Sequence, residues 1–217
     1  EENGWKMTAD QFEEAMTPRT KMVIINSPGN PTGAVYSEEE LRAIGEVASY
    51  EDIIILSDEI YEKLVYDGRK HVSIASISEE LKGLTVICHG FAKAYSMTGW
   101  RLGYVCANRD VMERILKIHQ YVAMCAPSIA QYAAMAALKS TKSIVNDMKM
   151  EYKRRRDFCR QSFEKMGMEV ATLDGAFYSF PSIQKTGMNS AEFAIKLLKS
   201  EKVAVVPGHV FGEGGEG

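Results

Sequence analysis

Four stretches of this chain carry side chains that could work together as a reactive site: Asn30 in Asn26-Ser27-Pro28-Gly29-Asn30-Pro31-Thr32-Gly33, Asp58 and Tyr61 in Ser57-Asp58-Glu59-Ile60-Tyr61, Lys93 in His89-Gly90-Phe91-Ala92-Lys93, and Arg101 close behind it. A lysine amine beside a binding crevice can form a Schiff base with a carbonyl compound and turn a poor electrophile into an electron sink. If the carbonyl belongs to a pyridine aldehyde, a carboxylate such as Asp58 keeps the ring nitrogen protonated, and charge developing at a substrate carbon spreads into the ring. Asn30 and Tyr61 suit the ring oxygen, and the Arg101 guanidinium suits a phosphate ester, which it can grip with two parallel N–H donors. Each residue alone has a plainer reading: an N-cap for Asp58, a turn for Asn30-Pro31-Thr32-Gly33, a surface amine for Lys93, an ion pair for Arg101. Spacing by itself therefore supports only an α/β ligand-binding domain.

The surrounding pattern says how such residues would be brought together. Met22-Val23-Ile24-Ile25, Ile53-Ile54-Ile55-Leu56 and Leu84-Thr85-Val86-Ile87-Cys88 are short apolar runs without polar alternation, the signature of strands buried on both faces of a sheet. Thr8 with Gln11, and Ser37 with Glu40, have capping-box spacing and predict helices over 8–17 and 37–50. The fold class is therefore α/β, a partial and mostly parallel sheet with flanking helices. In such sheets ligands bind beyond the carboxyl ends of the strands, where the Asn30, Asp58 and Lys93 segments all fall. Trp100 to Val105 is a further strand; residues 89–99 are too few for a crossover helix, so it should run antiparallel. Helices are expected over 109–123, 128–139 and 141–166. A strand over Ala176 to Phe180, a helix over 190–201 capped by Asn189 with Glu192, and a strand over Val203 to Val206 would begin a smaller α+β unit. The expected organisation is a partial large domain over 1–140, a connecting helix over 141–166 and a partial small domain over 167–217.

Composition narrows the classes. With 217 residues, 46% hydrophobic and 25% charged, the chain can bury a core, which excludes disordered and fibrous classes. The net charge of -3 and the dispersed basic residues argue against nucleic-acid binding; Lys153-Arg154-Arg155-Arg156 reads as a solvated helix face. Cys88, Cys106, Cys125 and Cys159 form no C-x-x-C pair, as in a reduced, cytoplasmic chain, and with the histidines they form no metal-ligand spacing. His71 and His209 read as loop residues. No apolar run approaches membrane-spanning length.

The blocks Asn26 to Gly33, Ser57 to Tyr61, and Phe91-Ala92-Lys93-Ala94-Tyr95-Ser96-Met97-Thr98-Gly99-Trp100-Arg101-Leu102-Gly103 closely resemble, in order and separation, three blocks of the class I/II aminotransferases. The resemblance extends to Gly175-Ala176-Phe177-Tyr178 and Val205-Val206-Pro207-Gly208. It implies a pyridoxal 5'-phosphate enzyme of fold type I, resembling the aspartate aminotransferases, that moves an amino group between an amino acid and a 2-oxo acid. Lys93 would be the Schiff-base lysine and proton carrier, Asp58 the partner of the pyridine nitrogen, Tyr61 and Asn30 contacts to the ring oxygen, and Arg101 a phosphate ligand. Gly90 and Ala92 stand where many members carry serines that help bind phosphate, which removes one or two hydroxyl contacts and leaves Arg101.

Family members are longer, and the resemblance implies a homodimeric parent. Both ends, Glu1-Glu2-Asn3-Gly4-Trp5 and Gly212-Glu213-Gly214-Gly215-Glu216-Gly217, read as internal, so the expectation is a piece truncated at both ends and nearly inactive by itself. An upstream phosphate-binding turn, an upstream aromatic that stacks on the cofactor ring and a downstream arginine for the substrate carboxylate would lie outside it. Two other functions fit the same scaffold: carbon-sulfur β-elimination, and a non-catalytic regulatory domain, against which the intact Lys93, Asp58, Tyr61 and Arg101 argue.

Overall fold

The computed structural model describes residues 2–139 and 142–217. Its first helices start where side chains can satisfy the free backbone donors of a helix N-terminus. The Thr8 hydroxyl accepts from the Gln11 amide and the Gln11 side chain from the Thr8 amide, opening α1 (Ala9–Ala15). Ser37 and Glu40 do the same for α2 (Glu38–Tyr50), and Asn189 and Glu192 for α7 (Ser190–Glu201). The capping-box expectations hold, with α1 ending earlier than its pattern suggested.

Four strands form one sheet in the order β1 (Met22–Asn26), β2 (Ile54–Asp58), β3 (Thr85–Gly90), β4 (Gly103–Cys106). The first three are parallel and β4 is antiparallel to β3, as the short 89–99 connection requires. One face of the sheet is covered. Val23, Ile25 and Ile55 pack there against Phe12 of α1, Leu41, Ile44 and Ala48 of α2, and Leu81 of α3 (Glu79–Leu84). A fully buried Leu or Ile contributes roughly 1.5–3 kcal/mol of hydrophobic free energy, so this layer dominates local stability.

The opposite face differs from the sequence reading. Met22 is 46% and Ile24 65% exposed, so β1 is buried on one face only among the described residues. An apolar run permits burial on both faces, but something must lie on the second face to provide it.

Past β4 the chain is helical: α4 (Arg109–Val122), α5 (Ser128–Lys139) and α6 (Lys142–Lys165). The expected boundary at 140/141 falls on residues outside those described. Of the basic cluster Lys153 to Arg156, Arg154 and Arg155 are exposed and Lys153 is half-buried, but Arg156 is buried. Its guanidinium donates to Asp67 Oδ2 at 2.7 Å and to the Leu173 carbonyl at 3.0 Å, and lies over the Tyr66 ring at 4.9 Å. It therefore ties α6 to the loop after β2 rather than facing solvent.

Two expected strands are absent. Residues 176–180 form no strand because Ala176 adopts a left-handed φ of 57° and the neighbouring amides bond elsewhere: Gly175 N to Gly33 O at 2.8 Å and Ala176 N to Leu64 O at 2.8 Å. These bonds make a docking loop. Val203 to Val206 forms no strand among the described residues, and Val203, Val205 and Val206 are exposed. A β-prone run becomes a strand only when another supplies its ladder.

Candidate active site

The sheet register places the reactive side chains. Asn26 pairs with Asp58, and Asp58 with Cys88, so the carboxyl ends of β1 and β2 are level and β3 runs two residues further, to Gly90. Alternation along β2 turns Ile55 and Ser57 to the covered face and Asp58 to the other. Asn26 fastens two of the predicted segments together: its amide Nδ2 donates to the Asp58 carbonyl at 3.2 Å, and its Oδ1 accepts from the Asn30 amide at 2.7 Å. Asp58 Oδ1 accepts from the Ile60 amide at 3.2 Å, which starts the turn that swings Tyr61 back over the sheet edge.

Tyr61 is buried, and its ring is the floor under Lys93. Lys93 Nζ lies 5.6 Å from the Tyr61 ring centroid and 5.4 Å from that of Phe177, and it makes no ion pair among the described residues. The Tyr61 hydroxyl shares a short hydrogen bond with the Tyr178 hydroxyl. Burial first, then this bond and the nearby Asp58 charge, push the Tyr61 phenol well above its ordinary range, so it stays protonated and able to donate. The docking loop delivers Phe177 and Tyr178, and Gly175 permits this approach: a Cβ there would stand 2.6 Å from Pro28 Cβ.

Arg101 precedes antiparallel β4, so it lies at the same edge as the end of β3, where Gly90 pairs with Gly103. It adopts a left-handed φ of 51°, is exposed, and donates through Nη1 to the Thr98 carbonyl at 2.9 Å. Like Lys93 it has no acidic partner among the described residues. The structure thus groups Asn30, Asp58, Tyr61 and Lys93 through direct or one-residue links, and puts Arg101 on the same edge without contact to them. A cavity of about 830 Å³ opens beside this edge; Asn30, Tyr178, Trp5, Phe180 and Phe211 are among its walls, but Lys93, Asp58 and Tyr61 are not.

Sequence reasoning passed over two neighbouring groups. Glu59 is buried and bonded to Ser57, Ser73 and His71; His71 is therefore not a free loop residue. Burial alone would raise the Glu59 carboxyl, but these three partners outweigh it and hold it below the usual range. The spacing of Ser57 and Glu59, two apart across the end of β2, was the available signal. His89 stacks on Tyr104 at 5.1 Å, and its Nδ1 accepts from the Gly90 amide at 2.7 Å, which leaves the ring proton on Nε2. That Nε2 lies 3.1 Å from Glu62 Oε1, close enough for attraction but not aligned as a hydrogen bond. His89 first, then Lys63, hold the Glu62 carboxyl down to about 2 against its burial.

These residues suit a flat, anionic carbonyl compound. The edge offers an amine held against aromatic rings, a protonated phenol, a carboxylate on the strand end and a guanidinium without an acidic partner. Fold and donor set together define an open α/β domain with an amine-bearing crevice at the carboxyl ends of its parallel strands. The chain belongs to the class I and II aminotransferases, whose family profile matches residues 1–217. It is 50% identical over 216 residues to YugH of Bacillus subtilis (strain 168), named as a candidate aminotransferase, covering 100% of this chain and 55% of that protein. It is 43% identical to aromatic-amino-acid aminotransferase 2 of Thermococcus litoralis, covering 100% of this chain and 56% of that one. The crystal structure of an aromatic aminotransferase from Pyrococcus horikoshii OT3 superposes with a TM-score of 0.95 at 41% identity, over 100% of this chain and 58% of that chain. The chain thus spans little more than half the length of these relatives. Among the described residues no helix is long and apolar enough to cross a membrane, and no group of three or more His, Cys, Asp or Glu is placed to hold a metal ion.

Proposed function

We propose that this chain carries the cofactor-binding part of an aminotransferase that uses pyridoxal 5'-phosphate to move an amino group between an amino acid and a 2-oxo acid. The observation that carries the reading is the setting of Lys93: its Nζ lies against the Tyr61 and Phe177 rings at the edge where Asp58 ends β2. Lys93, Asp58, Tyr61, Asn30 and Arg101 would hold the cofactor. When bound, it supplies an aldehyde carbon for the amine and a pyridinium ring that takes up the electron pair left at the substrate α-carbon.

The protein's own residues do the rest. Lys93 Nζ would be the amine that holds the aldehyde carbon and, as a free amine, the base that would take and return the α-proton. The Asp58 carboxylate keeps a proton on the ring nitrogen. Tyr61 would donate its hydroxyl hydrogen to the ring oxygen while accepting from the Tyr178 hydroxyl, and the Asn30 amide would be a second donor. Arg101 meets the phosphate as a charge-assisted, two-pronged donor.

Borohydride reduction of the cofactor-treated protein, followed by peptide mass mapping, tests the assignment. The expected result is a single pyridoxyl group on Lys93. Label on a different lysine, or none, would sink it.

A further inference from the structure

Behind the edge that carries Asp58 and Tyr61, on the covered face of the sheet, lies a charged group that the proposed chemistry does not use. Glu59 is 4% exposed. Its Oε1 accepts from the Ser57 hydroxyl at 2.9 Å and the Ser73 hydroxyl at 2.6 Å, and its Oε2 lies 2.9 Å from His71 Nε2. His71 Nδ1 is itself buried and has no hydrogen-bond partner, so the ring donates its one useful proton, from Nε2, to the carboxylate. The Glu59 amide donates to the Cys88 carbonyl at 3.0 Å, one residue beyond the β2–β3 ladder.

A buried carboxylate is unfavourable unless its lone pairs are filled, and removing one partner leaves the other exposed to that penalty. An apolar residue here would fill the space without that risk. What the charge adds is direction. Three donors from two segments, Ser57 on β2 and His71 with Ser73 on the loop that leads to α3, fix where the Glu59 side chain points. Since successive strand residues face opposite ways, fixing Ser57 and Glu59 on one face fixes Asp58 on the other. Glu59 is also where the strand gives way to the turn: its carbonyl accepts from the Glu62 amide at 2.9 Å, and that turn carries Tyr61 over the edge.

We infer that Glu59 is a positioning residue, which with Ser57, His71 and Ser73 clamps the end of β2 from the covered face so that Asp58 and Tyr61 are held ready for the cofactor ring. This rests on the functional reading above and deepens it. Glu59 touches neither cofactor nor substrate. The clamp works through the backbone of residues 57–61.

The test compares wild type with Glu59→Gln, which keeps the shape but loses the charge, and with the milder Ser73→Ala, which removes one donor and should fold even if the first variant does not. Ser49→Ala, a half-buried serine of α2 bonded to Glu80, is the control. In the cofactor-free protein, amide hydrogen exchange across 57–61 should accelerate about tenfold in Glu59→Gln and less in Ser73→Ala, while amides of α7 stay unchanged. In the protein loaded with pyridoxal 5'-phosphate, the cofactor dissociation constant should rise about tenfold in Glu59→Gln, the size expected when a supporting partner of a ligand residue is lost. The pH midpoint of the bound cofactor's visible band should also move, which a loss of global stability alone would not cause. Unchanged exchange at 57–61, or faster exchange with affinity and midpoint unmoved, overturns the inference. A wild-type protein that takes up no pyridoxal 5'-phosphate sinks the functional reading and the positioning role with it, so the two failures are told apart by the wild type alone.

Discussion

The carboxyl edge of β1 to β3 and the stretch from Val203 to Gly217 carry similar apolar runs, yet one is a fixed scaffold and the other presents its side chains to solvent. At the edge, Ile25 and Ile55 are buried under α2, and every strand end is tied to the next by Asn26, Glu59 or the ladder itself. In the second region Val205 and Val206 are exposed and no ladder forms among the described residues. The difference lies in what surrounds the run. Hydrophobic sequence supplies the tendency to be covered, and a neighbouring element converts that tendency into stability and into a fixed place for a reactive side chain.

The comparison breaks most visibly at Ile55. It is 0% exposed between Val23, Ile25, Leu41 and Ile44, so Ile55→Ala should cost about 2–5 kcal/mol in denaturant unfolding, part lost burial and part cavity. A cost under 1 kcal/mol would mean that the covered layer is not packed as described.

Gly175→Ala probes how the loop that carries Phe177 and Tyr178 is docked on the scaffold. The added methyl would meet Pro28 Cβ at 2.6 Å and Val35 Cγ2 at 2.8 Å, both on the scaffold. Overpacking of this kind costs about 1–3 kcal/mol. The loop must move away, and Tyr178 should leave Tyr61 with it, so the Tyr61 phenol should titrate at lower pH in the variant, as ultraviolet difference absorbance would show. An unchanged titration would show that the tyrosine pair does not depend on the docking loop.

A third prediction concerns acid. The folded-state value of Glu62 lies at about 2, below the ordinary glutamate value near 4.3. Stability from this group is therefore complete above about pH 4.3 and is lost as pH falls toward 2, because the unfolded chain takes up the proton first. Glu62→Gln should lower stability at neutral pH by about 1–2 kcal/mol and flatten the acid limb over that window. Parallel acid limbs in variant and wild type would remove His89 as a partner of Glu62.

How much of this was legible in the sequence depends on whether the cause was local. The helix starts at Thr8, Ser37 and Asn189 follow from residues three apart, and all formed. The parallel runs and the reversal at β4 follow from run length and from a connection too short to cross over. Lys93, Asp58 and Tyr61 meet at one edge because β1 to β3 run parallel and end there, which the pattern implied without fixing. The rest is set by contacts distant in sequence. Arg156 looks like its basic neighbours until Asp67 and the Leu173 carbonyl are brought to it. Ala176 reads as a strand residue, but bonds to Leu64 and Tyr66 turn it into a loop. Glu59 looks like one more carboxylate beside Asp58 until Ser73 arrives from the far end of a turn.

The smallest effect is expected in the run that nothing covers. Val206 is 63% exposed and lines the cavity beside the edge. Val206→Ser removes two methyl groups from a side chain already mostly in water, so unfolding free energy should change by no more than about 0.5 kcal/mol. The same change at Val23, 7% exposed on β1, removes buried surface and places a hydroxyl in the core, for which about 2–4 kcal/mol is expected. Two valines in similar apolar runs would then differ severalfold in cost for one chemical change, and only cover distinguishes them. Comparable costs at the two positions, measured in the same denaturant series, would show that the 203–206 run is packed in solution after all, and that the contrast between the two regions is smaller than their burial implies.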